Sequence, residues 1–171
     1  MKKQLIIGFS KSKKKFAIGS LLIRLYQMTP YSHCYIKVQS HAFPTPTIIH
    51  ASEGKILRMS GTQFDKRHEI VEEFCLELND TDYKEVTQLM HEISGDDYSI
   101  MQNIGIVLLD VARFFGIRMR NPWISGWNCS EFVMEMIKRY YPCKFKNIDP
   151  NTVTPKEIYA IMKEITKNEQ K

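Results

Sequence analysis

The chain has 171 residues, of which 43% are hydrophobic and 25% are charged, and its formal net charge is +5 at pH 7. This length suits one domain with a core of its own, and the composition excludes a largely disordered chain. We therefore expect a single domain over residues 1–171, with a flexible lysine-rich tail from about residue 167.

The first half of the chain predicts an antiparallel sheet, because short apolar runs alternate with turn-forming residues. In the run SHCYIKV, His33 faces away from the side shared by Cys34 and Ile36, since side chains alternate along a strand. A helix is expected between Phe16 and Tyr26, where leucines recur at helical spacing. The expected strands are residues 4–9 and the runs SHCYIKV, TIIHA, ILRMS and EIVEEFCLEL, with SEGK as the tight turn.

The second half predicts helices. Asp80 is expected to cap one helix that ends near Gly95, and a long apolar helix is expected within residues 99–115. The last helix begins with Thr154 as N-cap, Pro155 at the first position and Glu157 closing a capping box. The predicted fold class is therefore α+β, with an antiparallel sheet packed against helices.

The four cysteines are unevenly spaced and form no C-x-x-C pair, so we expect free thiols in a reducing compartment. The most apolar stretch, residues 104–117, contains Asp110 and Arg113 and is too short and too charged to cross a bilayer. The apolar run near the N-terminus is too short for a signal peptide. These features predict a cytoplasmic protein.

The segment WNCSEFV carries the most chemical information. Asn128 is a good N-cap, Glu131 can close a capping box, and Trp127 with Phe132 has the spacing of a hydrophobic staple. Cys129 then occupies the first helical position, where the partial positive charge of the helix N-terminus favours a thiolate. The alternative is that Cys129 is a small buried apolar residue, as most free cysteines are.

A nucleophilic thiol needs a base, and five histidines are candidates. His33 opens a strand and His50 ends an apolar run, whereas His68 and His91 have polar neighbours and are expected on the solvated surface. A structural role is the alternative for both His33 and His50. Because no closely spaced ligand pair occurs, we expect no metal and no cofactor.

The order of these motifs resembles the circularly permuted branch of the NlpC-type papain-like superfamily, which includes bacterial cell-envelope hydrolases and the lecithin–retinol acyltransferase group. The resemblance extends from about residue 16 to 154 and implies a circularly permuted papain-like fold. It implies Cys129 as nucleophile, His33 as base and His50 as third member of the triad. Tyr98 matches the tyrosine found between sheet and cysteine helix in the family, and Glu53 is the reserve candidate for the third position.

The resemblance also implies the chemistry. A Cys–His–His triad would hydrolyse a peptide or amide bond, which is the first-choice substrate class and includes bonds in peptidoglycan, through an acyl-enzyme. Tyr31 is a candidate to assist the first-turn amides in oxyanion binding. The alternatives are a lipid acyl hydrolase or acyltransferase, and a non-catalytic module that binds an acidic partner. Nucleic acid is not expected as a partner, and membrane contact is not favoured.

Overall fold

A computed structural model describes residues 3–14, 18–39, 45–52, 54–97, 105, 112, 115–117, 126–141 and 143–169. Within these ranges the chain is α+β, with one five-stranded antiparallel sheet and five α-helices. The predicted fold class is confirmed at this level. Most of the helix predicted within residues 99–115 lies outside the described residues.

The sheet has the strand order β4-β3-β2-β1-β5, and all neighbouring strands are antiparallel. All five predicted strands are confirmed, and Gly54 adopts a positive φ of 79° in the predicted SEGK turn, a conformation that glycine adopts at little cost. The strands are β1 (Lys3–Ser12), β2 (His33–Gln39), β3 (Thr47–Ser52), β4 (Lys55–Ser60) and β5 (His68–Leu78).

The helices are α1 (Ile18–Gln27), α2 (Gly61–Arg67), α3 (Asp80–Glu92), α4 (Cys129–Tyr140) and α5 (Pro155–Glu169), with a 3₁₀ turn at Pro150–Thr152. The sequence did not predict α2. The prediction that Asp80 caps α3 was wrong. The N-cap is Asn79, whose side chain accepts hydrogen bonds from the N–H groups of residues 81 and 82. Residues 167–169, predicted to begin a tail, form the last turn of α5.

The two faces of the sheet are covered differently. One face carries the main core, in which Ile36 of β2 and Phe74 of β5 pack with Phe132 of α4 and Met162 of α5. On the other face, α2 places Phe64 against Tyr35, with the ring centroids 4.5 Å apart. Because strand side chains alternate, Cys34 faces α4, whereas His33 and Tyr35 lie on the side of α2.

A β-bulge determines which residues of β5 join the α2 face. The register shifts between Phe9 and Ser10, so that Phe9 pairs with Glu72 but Ser10 pairs with Ile70, and Val71 is skipped. A one-residue slip reverses the direction of every side chain beyond it. His68 therefore lies on the same face as His33, whereas a regular strand would have placed it on the opposite face.

Helix α1 has an unusual orientation. Its apolar residues are at the predicted helical spacing, but Leu21, Leu22 and Leu25 are 48–65% exposed. The side of α1 that faces the protein carries polar groups instead, because Gln27 is buried and Ser20 Oγ lies 2.6 Å from Ser32 Oγ. The apolar stripe of α1 is therefore on the outside of the molecule.

Gly8 on β1 leaves no room for a side chain, because a Cβ added there would overlap the ring of Tyr35 on β2. We expect Gly8→Ala to lower the free energy of unfolding by about 1–3 kcal/mol, as overpacking does. The loss should shrink in a Tyr35→Leu background, which removes the ring. Urea unfolding of the four proteins measures both values, and an equal loss in both backgrounds would contradict this packing.

Candidate active site

The first turn of α4 forms the capping arrangement that the sequence predicts. The side chain of Asn128 accepts hydrogen bonds from the N–H groups of Ser130 and Glu131 at 2.9 and 2.8 Å. The Glu131 carboxylate accepts the Asn128 N–H at 3.1 Å, which completes the capping box. Cys129 is consequently the first residue of α4, within reach of the partial positive charge at the helix N-terminus.

Cys34 on β2 contacts Cys129, although the sequence did not connect the two residues. The Cys34 thiol donates a hydrogen bond to the carbonyl oxygen of Cys129, with a sulfur–oxygen distance of 3.1 Å. The two residues are 95 positions apart in the chain, and both are buried free cysteines. Cys34 therefore joins β2 directly to the start of α4.

These contacts shift the pKa values of the two thiols in opposite directions. Hydrogen bonding with the Cys34 thiol holds the pKa of Cys129 well below its usual value; burial opposes this, and the His33 imidazole acts in the same direction as Cys34. Burial and the hydrogen bond with Cys129 raise the pKa of Cys34 well above its usual value. Because Cys129 alone starts a helix, the negative charge of the pair belongs on Cys129.

Three histidine rings lie side by side next to this pair. The ring centroid of His33 is 5.5 Å from that of His50 and 5.5 Å from that of His68, and the last two are 5.2 Å apart. Phe64 of α2 stacks on His68 at 4.3 Å and meets His50 edge-on at 5.1 Å. The structure thus brings His33 and His50 together, as the sequence predicts, and adds His68.

Two of these histidines are uncharged at neutral pH. Burial is the main cause that lowers the pKa of His50 to about 2. Burial followed by the nearby His33 lowers the pKa of His68 to about 4. His33 is the histidine whose charge acts on Cys129.

The third member of a catalytic triad hydrogen-bonds the base, but His50 forms no hydrogen bond with His33. Neither ring nitrogen of His50 has a partner among the described residues, and the same is true of His33 Nε2. The two rings meet at an interplanar angle of 82°. In this arrangement His50 supports His33 by packing, and it does not hold its tautomer.

The expectation that His68 is a solvated surface residue was wrong. Its neighbours Asp65, Lys66, Arg67 and Glu69 are charged, but its ring is partly buried between Phe64 and His33, and its Nδ1 is buried. The sequence did hold one indication, because His68 directly precedes the run EIVEEFCLEL that predicts a strand. In the structure this strand begins one residue earlier, at His68. The β-bulge that orients the His68 ring cannot be recognised in the sequence. His91, by contrast, is exposed as predicted.

The supporting residues proposed from the sequence have different positions. Tyr31 is buried among aromatic rings, 5.0 Å from Phe9 and 5.2 Å from Tyr159, and burial raises its pKa so that its hydroxyl stays protonated. Asn128 caps α4 as described. Glu53 and Tyr98 lie outside the described residues.

The helix cap does not use the side-chain NH₂ group of Asn128. The N–H groups of Ser130 and Glu131 are already used by the cap, so they are not free to bind an oxyanion. Asn128 Nδ2 is buried and has no hydrogen-bond partner among the described residues. A buried donor without an acceptor costs about 1–3 kcal/mol, which a bound oxyanion would offset.

The site is closed in this structure. Cys129 is 2% exposed and His33 is 8% exposed. A cavity of about 180 Å³ lies elsewhere, between β2, β3, β4 and α3, and its lining includes Val38, Arg58 and His91 but none of the three clustered histidines. A substrate therefore reaches the sulfur only after neighbouring atoms move.

The described part of the chain shows neither a metal cluster nor a membrane-spanning helix. There, no three His, Cys, Asp or Glu side chains are arranged to hold a metal ion. None of the helices whose residues are described combines the length and the apolar character needed to cross a bilayer.

We compared the chain with protein-family models, with curated proteins and with solved structures, and none of the three comparisons found a match.

We expect Cys34→Ala to raise the pKa of Cys129, because the substitution removes the hydrogen-bond donor that lowers it most. The rate of alkylation by iodoacetamide as a function of pH, followed at Cys129 by peptide mass spectrometry, measures this value. Cys75→Ala is the matched control, since Cys75 is an exposed thiol on β5. An unchanged titration midpoint in Cys34→Ala would show that the contact does not tune the thiol.

Protonation of the histidine cluster should destabilise the fold. His68 has an ordinary pKa of 6.5 when unfolded and about 4 when folded, so between these values the unfolded chain binds more protons. The free energy of unfolding should therefore fall as pH drops from 6.5 to 4, by at most about 1.4 kcal/mol per unit for each histidine.

We expect His68→Gln to flatten this dependence without removing it, because His50 remains. The exposed His91 provides the control variant, His91→Gln, which should keep the slope of the parent protein. Urea unfolding at several pH values between 4 and 7 measures the slopes. Parallel slopes for parent and His68→Gln would contradict the burial of a neutral imidazole at position 68.

Proposed function

We propose that this protein is a cysteine-dependent hydrolase with a circularly permuted papain-like fold, acting through an acyl-enzyme. One observation carries the proposal: a thiol at the first position of a helix, with its pKa held well below the usual value, next to the imidazole of His33. Low thiol pKa values are typical of nucleophilic cysteines. The order of histidine strands before the cysteine helix supports the permuted form.

In the proposed mechanism His33 takes the proton of the Cys129 thiol, and the resulting thiolate attacks a carbonyl carbon and forms a tetrahedral intermediate. Asn128 Nδ2 donates to the oxyanion, since it is a buried donor that the helix cap leaves unused. His33 gives a proton to the leaving group as the carbon–heteroatom bond breaks, which leaves a thioester on Cys129. Water, deprotonated by His33, then releases the acid and restores the thiol.

His50 and His68 act as positioning residues in this mechanism. Their rings pack against His33, and both remain neutral at neutral pH because burial lowers their pKa values. A neutral neighbour does not repel the imidazolium that forms on His33 during the reaction. Phe64 fixes His68 by stacking, so α2 supports the base indirectly.

Two substrate classes fit this site. A peptide or amide bond, for example in peptidoglycan, is the first choice and is what the resemblance to the NlpC-type superfamily implies. A lipid acyl ester or amide, as in the acyltransferase branch, is favoured by one structural observation, the outward apolar stripe of α1. Helix α1 leads to the strand that begins with His33, and Ser20 on α1 contacts Ser32 directly before it.

Two reagents test the proposal, each prepared on a peptide scaffold and on a lipid scaffold. One is an electrophilic probe that labels a nucleophilic thiol, and the other is a cleavable acyl substrate. We expect adduct formation at Cys129 and turnover of one scaffold, and both should be lost in Cys129→Ala. His33→Ala should lower turnover by about 10²–10⁴-fold, the usual contribution of general acid–base catalysis. The preferred scaffold separates the two substrate classes.

Cys143→Ala and His91→Ala are the matched controls, since both residues are exposed and lie outside the cluster. They should retain full activity. Full turnover by Cys129→Ala or His33→Ala would exclude the proposed mechanism. Labelling of Cys129 no faster than that of Cys143 at mildly acidic pH would instead favour a non-catalytic binding module.

A further inference from the structure

The mechanism above uses Cys129 and gives no chemical role to Cys34, the other buried cysteine. Cys34 on β2 is fully buried, and Cys129 is 2% exposed. The Cys34 sulfur lies 3.1 Å from the carbonyl oxygen of Cys129, and the two side chains also hydrogen-bond with each other. A disulfide forms only between cysteines whose side chains already meet, because its geometry tolerates little backbone movement. This pair meets that requirement.

The other two cysteines are arranged differently. Cys75 and Cys143 are exposed free thiols, and neither contacts a second thiol in the part of the chain that the structure describes. Burial is the main cause that raises the pKa of Cys75, which lowers its thiolate fraction at neutral pH. Exposure alone therefore favours oxidation of these two residues, whereas the contact with His33 favours oxidation of Cys129.

We propose that Cys129 reduces hydroperoxides and that Cys34 is its resolving thiol, so that the two residues form a reversible disulfide. The Cys129 thiolate attacks one oxygen of hydrogen peroxide, the O–O bond breaks, and the leaving hydroxide takes a proton from the His33 imidazolium. Sulfur is thereby oxidised to a sulfenic acid, and the peroxide is reduced to water. The Cys34 sulfur then displaces the sulfenic hydroxyl group, which leaves as water with the Cys34 proton, and an S–S bond joins β2 to α4.

The first step also makes Cys34 more reactive. Before oxidation, burial, the hydrogen bond with Cys129 and the negative charge of Cys129 together raise the pKa of Cys34. A sulfenic acid at Cys129 carries no charge, so this electrostatic cause disappears and the Cys34 proton is lost more easily. Cys34 is thus held protonated until the residue beside it has been oxidised.

The oxidation uses the same sulfur as the proposed function but needs no acyl substrate. It rests on the nucleophilic Cys129 thiol and not on hydrolysis. Hydrogen peroxide is little larger than water, so it reaches the closed site through a smaller opening than an acyl substrate requires. The disulfide removes the nucleophile, and it also protects the sulfur, because a sulfenic acid without a resolving thiol is oxidised irreversibly to a sulfinic acid.

Treatment of the full chain with hydrogen peroxide, followed by alkylation of the remaining thiols and peptide mass spectrometry, tests the proposal. We expect a cross-linked pair of peptides that joins Cys34 to Cys129, lacks two hydrogen atoms and returns to free thiols with dithiothreitol. Cys75 and Cys143 should remain alkylated at peroxide concentrations that oxidise Cys129 completely. The proposal is overturned if the exposed cysteines are oxidised first, or if Cys129 becomes a sulfinic acid while Cys34 remains a free thiol.

Cys34→Ser is the informative variant, because its hydroxyl keeps a hydrogen-bond donor beside Cys129 but cannot form a disulfide. In this variant dimedone should trap the sulfenic acid, and excess peroxide should oxidise Cys129 irreversibly. Cys75→Ser, the same substitution at an exposed thiol, is the matched control and should keep the cross-link of the parent. Full recovery of the Cys129 thiol by dithiothreitol after excess peroxide in Cys34→Ser would exclude Cys34 as the resolving residue.

Turnover of the acyl substrate is a separate readout. In the parent protein it should fall in proportion to the cross-linked fraction and return with dithiothreitol. A protein that forms the cross-link but hydrolyses neither scaffold would support this inference and contradict the proposed function alone. A protein that hydrolyses a scaffold but never forms the cross-link would contradict this inference alone.

Discussion

The candidate site depends on how α4 begins against β2. The capping box of Asn128 and Glu131 starts the helix at Cys129 and at no later residue, and the Cys34 thiol bonds to the Cys129 carbonyl oxygen. The helix terminus and the neighbouring thiol both favour negative charge on the same sulfur. The histidines matter chemically only because this contact places the thiol beside them.

Local patterns predicted most of the fold. The five strands, the start of α4 and the capping box of Thr154 and Glu157 could be read from the sequence, because alternation and capping act between close neighbours in the chain. The short helix α2 was missed because GTQFDKR has a single large apolar residue and therefore no periodicity. The apolar stripe of α1 could be read from the sequence, but the outward direction of this stripe could not, because the inward side is marked by the contact of Ser20 with Ser32, in another segment.

The site was predictable only in part for the same reason. Cys129, His33 and His50 stand in recognisable local settings, and the structure brings them together. The contribution of Cys34 depends on a contact across 95 residues. The position of His68 depends on the β-bulge at Val71, which reverses the face of the sheet on which the residues before it lie. Both are properties of strand pairing and helix docking, which a single segment does not encode.

The distance in sequence between Cys34 and Cys129 has a consequence for biosynthesis. A ribosome releases the histidine-bearing strands well before the cysteine helix, so a growing chain carries imidazoles without their sulfur partner. Pairing over such separations forms slowly compared with local helices. The lowered pKa of Cys129 therefore depends on the finished domain, because Cys34 and His33 act on this thiol only once the two segments are in contact.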